Sequence, residues 1–349
     1  MKLNFTTTLL HWHTTENTRE MPWKGEKDPY KIWLSEIILQ QTRVEQGLAY
    51  YNKFIKAYPT VFDLAKAKEQ TVFKLWEGLG YYNRCRNLLA TAKIIATTYH
   101  GIFPNDYETL LTLKGIGPYT AAAIASFAFN APHAVLDGNV FRVIARYEGI
   151  DVPTDSTAGK KIFETRAADL LDKKRAGLYN QAIMDFGATV CKPMAPKCNI
   201  CPLQKNCVAH ATAQVNQLPI KEKQLVKKER RLYYFILQVK DEIWVTERKH
   251  KDIWQGLYEF YLLEAGKKML WNEASTEAFL KEQLGLSSVK LLQRSAEIKQ
   301  QLTHQIITAQ FIRVALTKKP TRITSGKWQK IGQLKKLPFP KLINQYFET

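Results

Sequence analysis

The segment LKGIGPYTAAAIASFAFNAPHAVLDGNVFRV, residues 113–143, decides the fold of the chain around it. It begins with a Gly-x-Gly turn, formed by Gly115 and Gly117, between two helix-like runs. Glycine allows positive φ and has no Cβ, so backbone N–H groups of such a turn can point outward at an anion. The N-terminus of the following helix adds a partial positive charge. The turn predicts a grip for a phosphate group; an ordinary tight turn between two core helices is an equally good interpretation.

Two carboxylates stand out. Glu36 lies inside the apolar run of residues 32–39, and Asp137 precedes a helical run that begins at Gly138-Asn139. A carboxyl group against apolar walls has a raised pKa and can hold a proton near neutrality, as a general acid must. The structural alternatives are a solvent-facing glutamate on an amphipathic helix and an aspartate that only caps its helix.

Composition restricts the function classes. The chain has 349 residues, of which 45% are hydrophobic, and a formal net charge of +19. This length predicts about two domains. The charge favours a nucleic acid over a membrane as partner, because no basic amphipathic helix stands out; a merely basic protein is the alternative. Without a secretory leader or an apolar run of membrane-spanning length, the expected location is the cytoplasm, in association with the nucleoid.

The pattern along the chain changes after the cysteine cluster. Before it, only helical periodicity is found, whereas alternating strand patterns begin at Leu232. We therefore predict a mostly α-helical domain over 1–215, a basic linker over 216–231 and an α+β domain over 232–349. The predicted elements of the last domain are strands at Tyr233–Val239, Glu242–Thr246 and Ile306–Val314, and a helix at Thr276–Leu284.

Four of the five cysteines are clustered, with gaps of six, two and five residues. Disulfides are not expected without an export signal. A zinc site usually combines two short cysteine pairs, but here only one pair has the two-residue gap. The looser gaps favour a wider [4Fe–4S] cluster over zinc, which stays open as the alternative. The predicted ligands are Cys191, Cys198, Cys201 and Cys207.

These features together resemble the endonuclease III superfamily of DNA glycosylases, and within it the adenine DNA glycosylases. The resemblance rests on PYKIWLSEIILQQTRV, LWEGLGYYNRCRNL, LKGIGPYTAAAIASFAF, LDGNVFRV and the cysteine spacing, and covers residues 23–207. It implies a helix-hairpin-helix glycosylase fold with an iron–sulfur loop, followed by a Nudix-like domain. It also implies a monomer that acts on double-stranded DNA and removes adenine mispaired with 8-oxoguanine or with guanine.

The resemblance assigns roles in catalysis. Protonated Glu36 would deliver its proton to N7 of an extruded adenine, and ionised Asp137 would stabilise the sugar cation. Asn139 would orient a carboxylate, and Tyr119 would crowd the same site. Bifunctional relatives carry a lysine where this chain has Tyr119, and a phenol cannot form a Schiff base. The resemblance therefore implies a glycosylase without efficient strand cleavage.

The resemblance also implies contacts with DNA. Gln41 would wedge into the vacated base stack, with Thr42 beside it, and Tyr81 would pack beside the oxidised guanine. Gln181 would contact the flipped adenine, while Gly115 and Gly117 would hold the backbone. The family reads 8-oxoguanine with a Phe-Ser-His loop, and this chain has Leu302 and then the two predicted contacts, Thr303 and His304.

Two rival functions remain. One is a glycosylase/lyase for oxidised pyrimidines, which Tyr119 and the extra domain disfavour. The other is a non-enzymatic iron–sulfur protein that binds DNA or senses redox state, which the pair of Glu36 and Asp137 disfavours. The C-terminal domain lacks the acidic metal-binding run of Nudix hydrolases, so nucleotide hydrolysis is not expected.

Overall fold

The computed structural model describes residues 2–21, 23–222, 226–286 and 288–348. The chain divides into two compact units. The first comprises residues 1–66 and 86–224, and the second comprises residues 67–85 and 225–349. A segment from the helical part of the sequence thus belongs to the same unit as the C-terminal domain.

The first unit is helical. Its core is built from large side chains that are almost fully buried, such as Phe5, Phe163, Tyr179 and Phe186. The helices are α1 (Lys2–Thr15), α2 (Pro29–Leu39), α3 (Val44–Ala57), α4 (Val61–Lys66), most of α6 (Asn83–Thr97), α7 (Tyr107–Thr112), α8 (Pro118–Phe129), α9 (Gly138–Glu148), α10 (Thr157–Leu170), α11 (Ala176–Thr189) and α12 (Val208–Ala211). Short 3₁₀ turns occupy Lys173–Arg175, Cys198–Ile200 and Gln204–Asn206.

Helix α2 is shorter than the sequence pattern indicates. The Asp28 side chain caps its first turn by accepting a hydrogen bond from the backbone N–H of Tyr30 at 2.9 Å. The apolar periodicity predicts a helix to Arg43, but α2 ends at Leu39. Gln41 takes a left-handed backbone conformation with φ +56°, and α3 starts only at Val44. The polar stretch after Leu39 is therefore a turn, which a helical period cannot distinguish from a last helical turn.

The Gly-x-Gly turn joins α7 to α8 as predicted, and its two glycines have different backbone conformations. Gly115 has φ +78°, and a Cβ there would lie 2.7 Å from Cβ of Asn87 on α6. Gly117 is extended, with φ −95° and ψ −179°, and caps α8. The Thr91 hydroxyl donates to the carbonyl oxygen of Lys114 at 2.8 Å, which anchors the turn to α6.

The second unit is built on a mixed sheet. Two long strands, β1 (Lys228–Val239) and β7 (Gln305–Leu316), pair in parallel at its centre. Their pairing runs from Lys228 opposite Gln305 to Gln238 opposite Ala315. The strand order is β3-β2-β1-β7-β5, with β4 on β1, β6 on β7 and β8 on β2. The elements are α5 (Glu69–Trp76), β1 (Lys228–Val239), β2 (Glu242–Glu247), β3 (Tyr258–Glu259), β4 (Tyr261–Ala265), α13 (Glu273–Leu284), β5 (Val289–Arg294), β6 (Ile298–Gln301), β7 (Gln305–Leu316), β8 (Lys327–Lys330), a 3₁₀ helix (Ile331–Lys336) and α14 (Lys341–Glu348).

The strands and the helix predicted for the C-terminal domain are all present. β1 is longer than predicted and begins at Lys228, inside the stretch assigned to the linker, because its charged residues pair with β7. The predicted domain limits at 215 and 231 stay predictions. None of the helices in the described part of the chain is long and apolar enough to cross a membrane.

Candidate active site

A cavity of about 730 Å³ opens in the first unit among α2, α8, α9 and α11. Its walls also include the chain segment between α1 and α2 and the turn after α2. Seven of the residues predicted from the sequence to act on DNA line this one cavity: Glu36, Gln41, Thr42, Tyr119, Asp137, Asn139 and Gln181.

Glu36 projects from α2 and is 7% exposed. The Tyr119 hydroxyl donates a hydrogen bond to Oε2 of Glu36 at 2.7 Å. Burial raises the pKa of Glu36 to about 7; the Tyr119 hydrogen bond opposes this rise, and the nearby charge of Asp137 adds to it. The carboxyl group is therefore able to exchange a proton near neutral pH.

Asp137 caps the N-terminus of α9. Its Oδ1 accepts hydrogen bonds from the backbone N–H groups of Asn139 and Val140, both at 2.8 Å. Its Oδ2 accepts a third from the Asn139 side chain at 2.7 Å. Burial raises the pKa of Asp137, while these hydrogen bonds and the charge of Arg142 oppose the rise by stabilising the carboxylate. The residue that caps α9 is therefore also a buried carboxyl group at the cavity wall.

Asn139 is held by a buried arginine that also reaches the cysteine-rich loop. The Arg142 Nη2 donates to Oδ1 of Asn139 at 2.8 Å and to the carbonyl oxygen of Gly187 at 2.7 Å. Its Nε donates to the carbonyl oxygen of Cys191 at 2.8 Å. Because Oδ1 of Asn139 accepts a hydrogen bond from Arg142, the amide is oriented with its Nδ2 towards Asp137, to which it donates.

The four clustered cysteines line a second, smaller cavity together. All four are half-buried and none forms a disulfide. In the described part of the chain, no three His, Cys, Asp or Glu side chains are arranged to hold a single metal ion. Around the cavity, Arg146 Nη1 lies 3.6 Å from Sγ of Cys191. Burial raises the pKa of the Cys191 and Cys207 thiols and that of Cys201 to about 12. Four sulfurs facing one space, with a cation beside them, fit a cluster ligated by several thiolates.

In the second unit, the structure brings two predicted contact residues together. Tyr81 is 41% exposed, takes a left-handed backbone conformation with φ +49°, and its hydroxyl is hydrogen-bonded to the hydroxyl of Thr303. His304 is exposed, and its carbonyl oxygen accepts from the Lys228 N–H at 3.0 Å. Tyr82, by contrast, is buried. The turn of Gly115 and Gly117 is exposed and does not line the cavity.

Comparison with known proteins identifies the family. Residues 34–166 match the HhH-GPD superfamily of base excision DNA repair proteins, and residues 233–349 match the NUDIX domain. A solved thermostable thymine-DNA glycosylase is 31% identical, with a TM-score of 0.56, over 60% of this chain and 97% of its own. The adenine DNA glycosylase of Homo sapiens is 40% identical over 61% of this chain and 41% of its own length. That of Buchnera aphidicola subsp. Baizongia pistaciae is 38% identical over 74% of this chain and 73% of its own.

The chain belongs to the adenine DNA glycosylases. Like the rest of this family it is a DNA glycosylase of base excision repair, with a helical glycosylase unit that carries the Gly-x-Gly turn and a Nudix-like C-terminal unit. The fold and the family expected from the sequence are therefore confirmed. The roles of individual residues stay predictions.

In this adenine DNA glycosylase, sequence reasoning missed a buried carboxylate behind the cavity wall. Asp185 on α11 is completely buried and accepts hydrogen bonds from Asn17 at 2.8 Å, Arg19 at 2.9 Å and Gln181 at 3.0 Å. One signal was available, because Asp185 is the one charge in the otherwise uncharged run YNQAIMDFGA and follows Gln181 by one helical turn. Its partners from the segment after α1 could not be found, because they are more than 160 residues away in sequence.

His13 is the second missed residue. It lies at the end of α1, lines the cavity and receives a hydrogen bond from the Asn17 side chain at 2.9 Å. Burial lowers the pKa of His13, and the charge of Lys24 lowers it further, against the opposing effect of Asp185. A single histidine near the end of an N-terminal helix carries no sequence signal for such a position.

Proposed function

We propose that this enzyme hydrolyses the N-glycosidic bond of adenine paired with 8-oxoguanine or guanine in double-stranded DNA, without efficient strand cleavage. The observation that carries the proposal is the meeting of Glu36 and Asp137 at one cavity. Burial raises the pKa of both carboxyl groups, and three hydrogen bonds and the charge of Arg142 oppose that rise at Asp137 by stabilising its carboxylate form. Two carboxyl groups with separated protonation behaviour are the usual apparatus for cleaving a glycosidic bond.

Glu36 serves as the general acid. An adenine inside a duplex is out of reach, so it must be extruded into a pocket before reaction. With a pKa near 7, Glu36 retains its proton in a substantial fraction of molecules at neutral pH. Transfer of that proton to N7 of the base makes adenine a better leaving group. Tyr119, which donates to Oε2, fixes the orientation of the carboxyl group.

Asp137 stabilises the positive charge that develops on the sugar as the bond to adenine breaks. Its three hydrogen bonds within the first turn of α9 hold the carboxylate in place. The same carboxylate can add to C1′ of the sugar cation and form a covalent intermediate. Water then attacks C1′ and displaces the carboxylate, which gives net retention of the substrate's configuration, as in retaining glycosidases. Asn139 orients it, and Arg142 orients Asn139 in turn.

The two lysines that line the cavity both have polar partners, which supports hydrolysis without strand cleavage. Among the described lining residues, the lysines are Lys24 and Lys27. Lys24 is paired with Asp185, with Nζ 3.3 Å from Oδ2, and Lys27 donates to the carbonyl oxygen of Phe127 at 2.9 Å. Tyr119 occupies the position at which a lysine is expected in bifunctional relatives. A Schiff base with the sugar requires an unprotonated amine that is free to attack.

Recognition of the opposite base is assigned to the second unit. Tyr81 and Thr303 come from parts of the chain more than 200 residues apart, and their hydroxyl groups are hydrogen-bonded to each other. An exposed aromatic ring and a hydroxyl at one place suit stacking on a base and bonding to its edge. His304 follows in the same loop.

In the first unit, Gln41 lies exposed at the cavity with positive φ, a suitable position for a side chain that fills the gap left by the adenine.

We also propose that the four cysteines hold a [4Fe–4S] cluster with a structural role. The remaining expectations are proposed on composition and resemblance alone: a monomer in the cytoplasm, associated with the nucleoid, with domain limits at 215 and 231. The basic surface implied by a net charge of +19 suits the DNA backbone.

The function is tested with 5′-labelled duplexes that contain adenine opposite 8-oxoguanine, adenine opposite guanine, or an oxidised pyrimidine. Free base and strand breaks are scored separately. We expect adenine release from the first two duplexes and strand breaks only after alkali. Release of oxidised pyrimidines with direct strand breaks would favour the glycosylase/lyase. Glu36→Gln and Asp137→Asn are expected to remove base release and to retain DNA binding, and near-normal excision by either variant contradicts the assignment.

The second-unit assignment has its own test. Thr303→Ala is expected to reduce the preference for 8-oxoguanine over guanine opposite the adenine by roughly fivefold, because one hydrogen bond in a binding site is typically worth about 1 kcal/mol. Thr303→Ser keeps the hydroxyl and is the matched control. Single-turnover rates with both duplexes measure the preference. An unchanged ratio in Thr303→Ala would remove Thr303 from base recognition.

A further inference from the structure

An amine near an abasic sugar is a latent nucleophile, and Lys24 places one at the cavity described above. Lys24 and Asp137 line the same space. The proposed hydrolysis leaves an abasic deoxyribose whose ring-opened form carries an aldehyde at C1′. An unprotonated lysine at such a position would react with that aldehyde. The absence of a lysine at position 119 therefore does not by itself account for hydrolysis without strand cleavage.

The surroundings of Lys24 hold its ammonium group in place. Nζ lies 3.3 Å from Oδ2 of Asp185 and donates to the carbonyl oxygen of Arg19 at 3.0 Å. The Lys24 side chain is 26% exposed, whereas the Asp185 side chain is fully buried. A buried carboxylate attracts a neighbouring cation more strongly than an exposed one, because little water screens the pair.

Asp185 itself is fixed by other groups, so it cannot turn away from Lys24. Oδ1 accepts from Arg19 Nη1 at 2.9 Å and from Gln181 at 3.0 Å, while Oδ2 accepts from Asn17 at 2.8 Å. Two nearby cations and two amides compensate one carboxylate. Charge-assisted hydrogen bonds of this kind are the strong ones in proteins.

Lys27 offers an internal comparison. Its Nζ donates to the carbonyl oxygen of Phe127 at the end of α8 at 2.9 Å. Within the described residues, no carboxylate lies within 4.0 Å of its ammonium group. Two lysines thus line one cavity with different degrees of charge compensation.

We propose that Asp185 is a positioning residue that keeps the Lys24 ammonium group ion-paired and hydrogen-bonded, and thereby suppresses Schiff-base formation between Lys24 and the abasic sugar. This inference rests on the proposed function, because it concerns the sugar that adenine excision leaves. Asp185 contacts neither the base nor the sugar in this account; it acts through Lys24.

The suppressed reaction is a condensation. The lone pair of an unprotonated Lys24 Nζ attacks C1′ of the aldehyde and forms a carbinolamine, with proton transfer from nitrogen to oxygen. The carbinolamine hydroxyl takes up a proton from solvent and leaves as water, which gives the protonated imine. Added borohydride delivers a hydride to the imine carbon and yields a stable secondary amine. Protein and DNA are then joined covalently through Nζ and C1′, which makes the amine that reacted identifiable.

The experiment uses a duplex with a preformed abasic site, produced by removing uracil with a separate enzyme. This substrate makes the assay independent of adenine excision by the protein itself. Full-length wild type and Asp185→Asn are incubated with it in borohydride. We expect roughly tenfold more covalent adduct with Asp185→Asn, because hydrogen bonds to charged groups commonly shift an equilibrium by that factor or more. Mass spectrometry of the digested adduct should place the link at Lys24.

Two double variants identify the amine. Asp185→Asn with Lys24→Arg is expected to lose the gain in adduct, since a guanidinium cannot form the imine. Asp185→Asn with Lys27→Arg is expected to keep it. A gain that persists without Lys24, or an adduct yield in Asp185→Asn equal to that of wild type at equal duplex binding, overturns the inference. Failure of wild type to release adenine would instead count against the proposed function, whatever the adduct yield.

A measurement on the unaltered protein covers the case in which Asp185→Asn does not fold. Lysines are reductively methylated with ¹³C-formaldehyde, and their rates are followed by peptide mass spectrometry. Lys31 is the reference, because it is 36% exposed and paired with Glu26, which is itself 24% exposed. We expect Lys24 to react at least roughly fivefold more slowly than Lys31, because its partner is buried. Equal rates would show that Asp185 does not withhold the Lys24 amine.

Discussion

Glu36→Gln is expected to stabilise the folded protein at pH 8, although the same variant is expected to lose base release. In the folded state the pKa of Glu36 is about 7, whereas the ordinary value is 4.5. Between these two pH values the unfolded chain has released a proton that the folded chain still holds, so stability falls as the pH rises. At about 1.36 kcal/mol per pKa unit, the full loss above pH 7 is about 3 kcal/mol. Glutamine does not ionise, so the variant does not lose this stability as the pH rises.

The size of the gain depends on pH, which separates this explanation from improved packing. At pH 5 the expected gain is below about 1 kcal/mol, because this pH is only slightly above the ordinary pKa of 4.5 and most of the loss accumulates between pH 5 and pH 7. Urea denaturation followed by helical circular dichroism at pH 5 and at pH 8 measures both values. Glu164→Gln, at an exposed position of α10, is the matched control and is expected to change stability by less than about 0.5 kcal/mol at either pH. A gain for Glu36→Gln that is equal at both pH values, or a loss at pH 8, would refute the reasoning.

Three further variants probe the geometry around the two carboxylates. Tyr119→Phe removes a hydrogen bond that lowers the pKa of Glu36, so the fall in single-turnover rate at alkaline pH should move to higher pH by roughly 0.5 to 1. Gly187→Ala would place a Cβ 2.6 Å from Cβ of Asn139, so we expect a loss of about 1–3 kcal/mol in stability and slower excision. Unchanged excision would show that α11 shifts to relieve the contact without displacing Asn139. Arg142→Gln frees Oδ1 of Asn139 and should slow excision at unchanged DNA affinity and lower the iron content, measured by metal analysis.

The fold could be predicted largely from local sequence patterns. The Gly-x-Gly turn predicts α7 and α8 because a positive φ at Gly115 and an extended Gly117 are local requirements. Asp137 predicts the start of α9 in the same way, because the hydrogen bond of an N-cap side chain is made to a backbone N–H within the next three residues. The end of α2 could not be predicted, because the turn at Gln41 follows no periodic rule.

Glu36 and Asp137 could be proposed as a catalytic pair from the sequence, but their surroundings could not be predicted. Glu36 is conspicuous as a carboxylate within an apolar run, and that signal is local. The Asp185 network depends on α1 and α11 packing together, so its hydrogen bonds span more than 160 residues and leave no pattern. The assignment of residues 67–85 to the C-terminal unit is of the same kind. It follows from contacts such as the hydrogen bond between Glu77 and the Phe339 N–H at 2.9 Å.

The central claim is that a protonated Glu36 transfers its proton to adenine while Asp137 is ionised. The most direct test is the single-turnover rate of adenine release from a duplex with adenine opposite 8-oxoguanine, measured from pH 5 to pH 9. The account predicts a rate that falls about tenfold per pH unit above a midpoint near 7, as the acid form of Glu36 is lost. A rate that stays constant between pH 6 and pH 9 would contradict it.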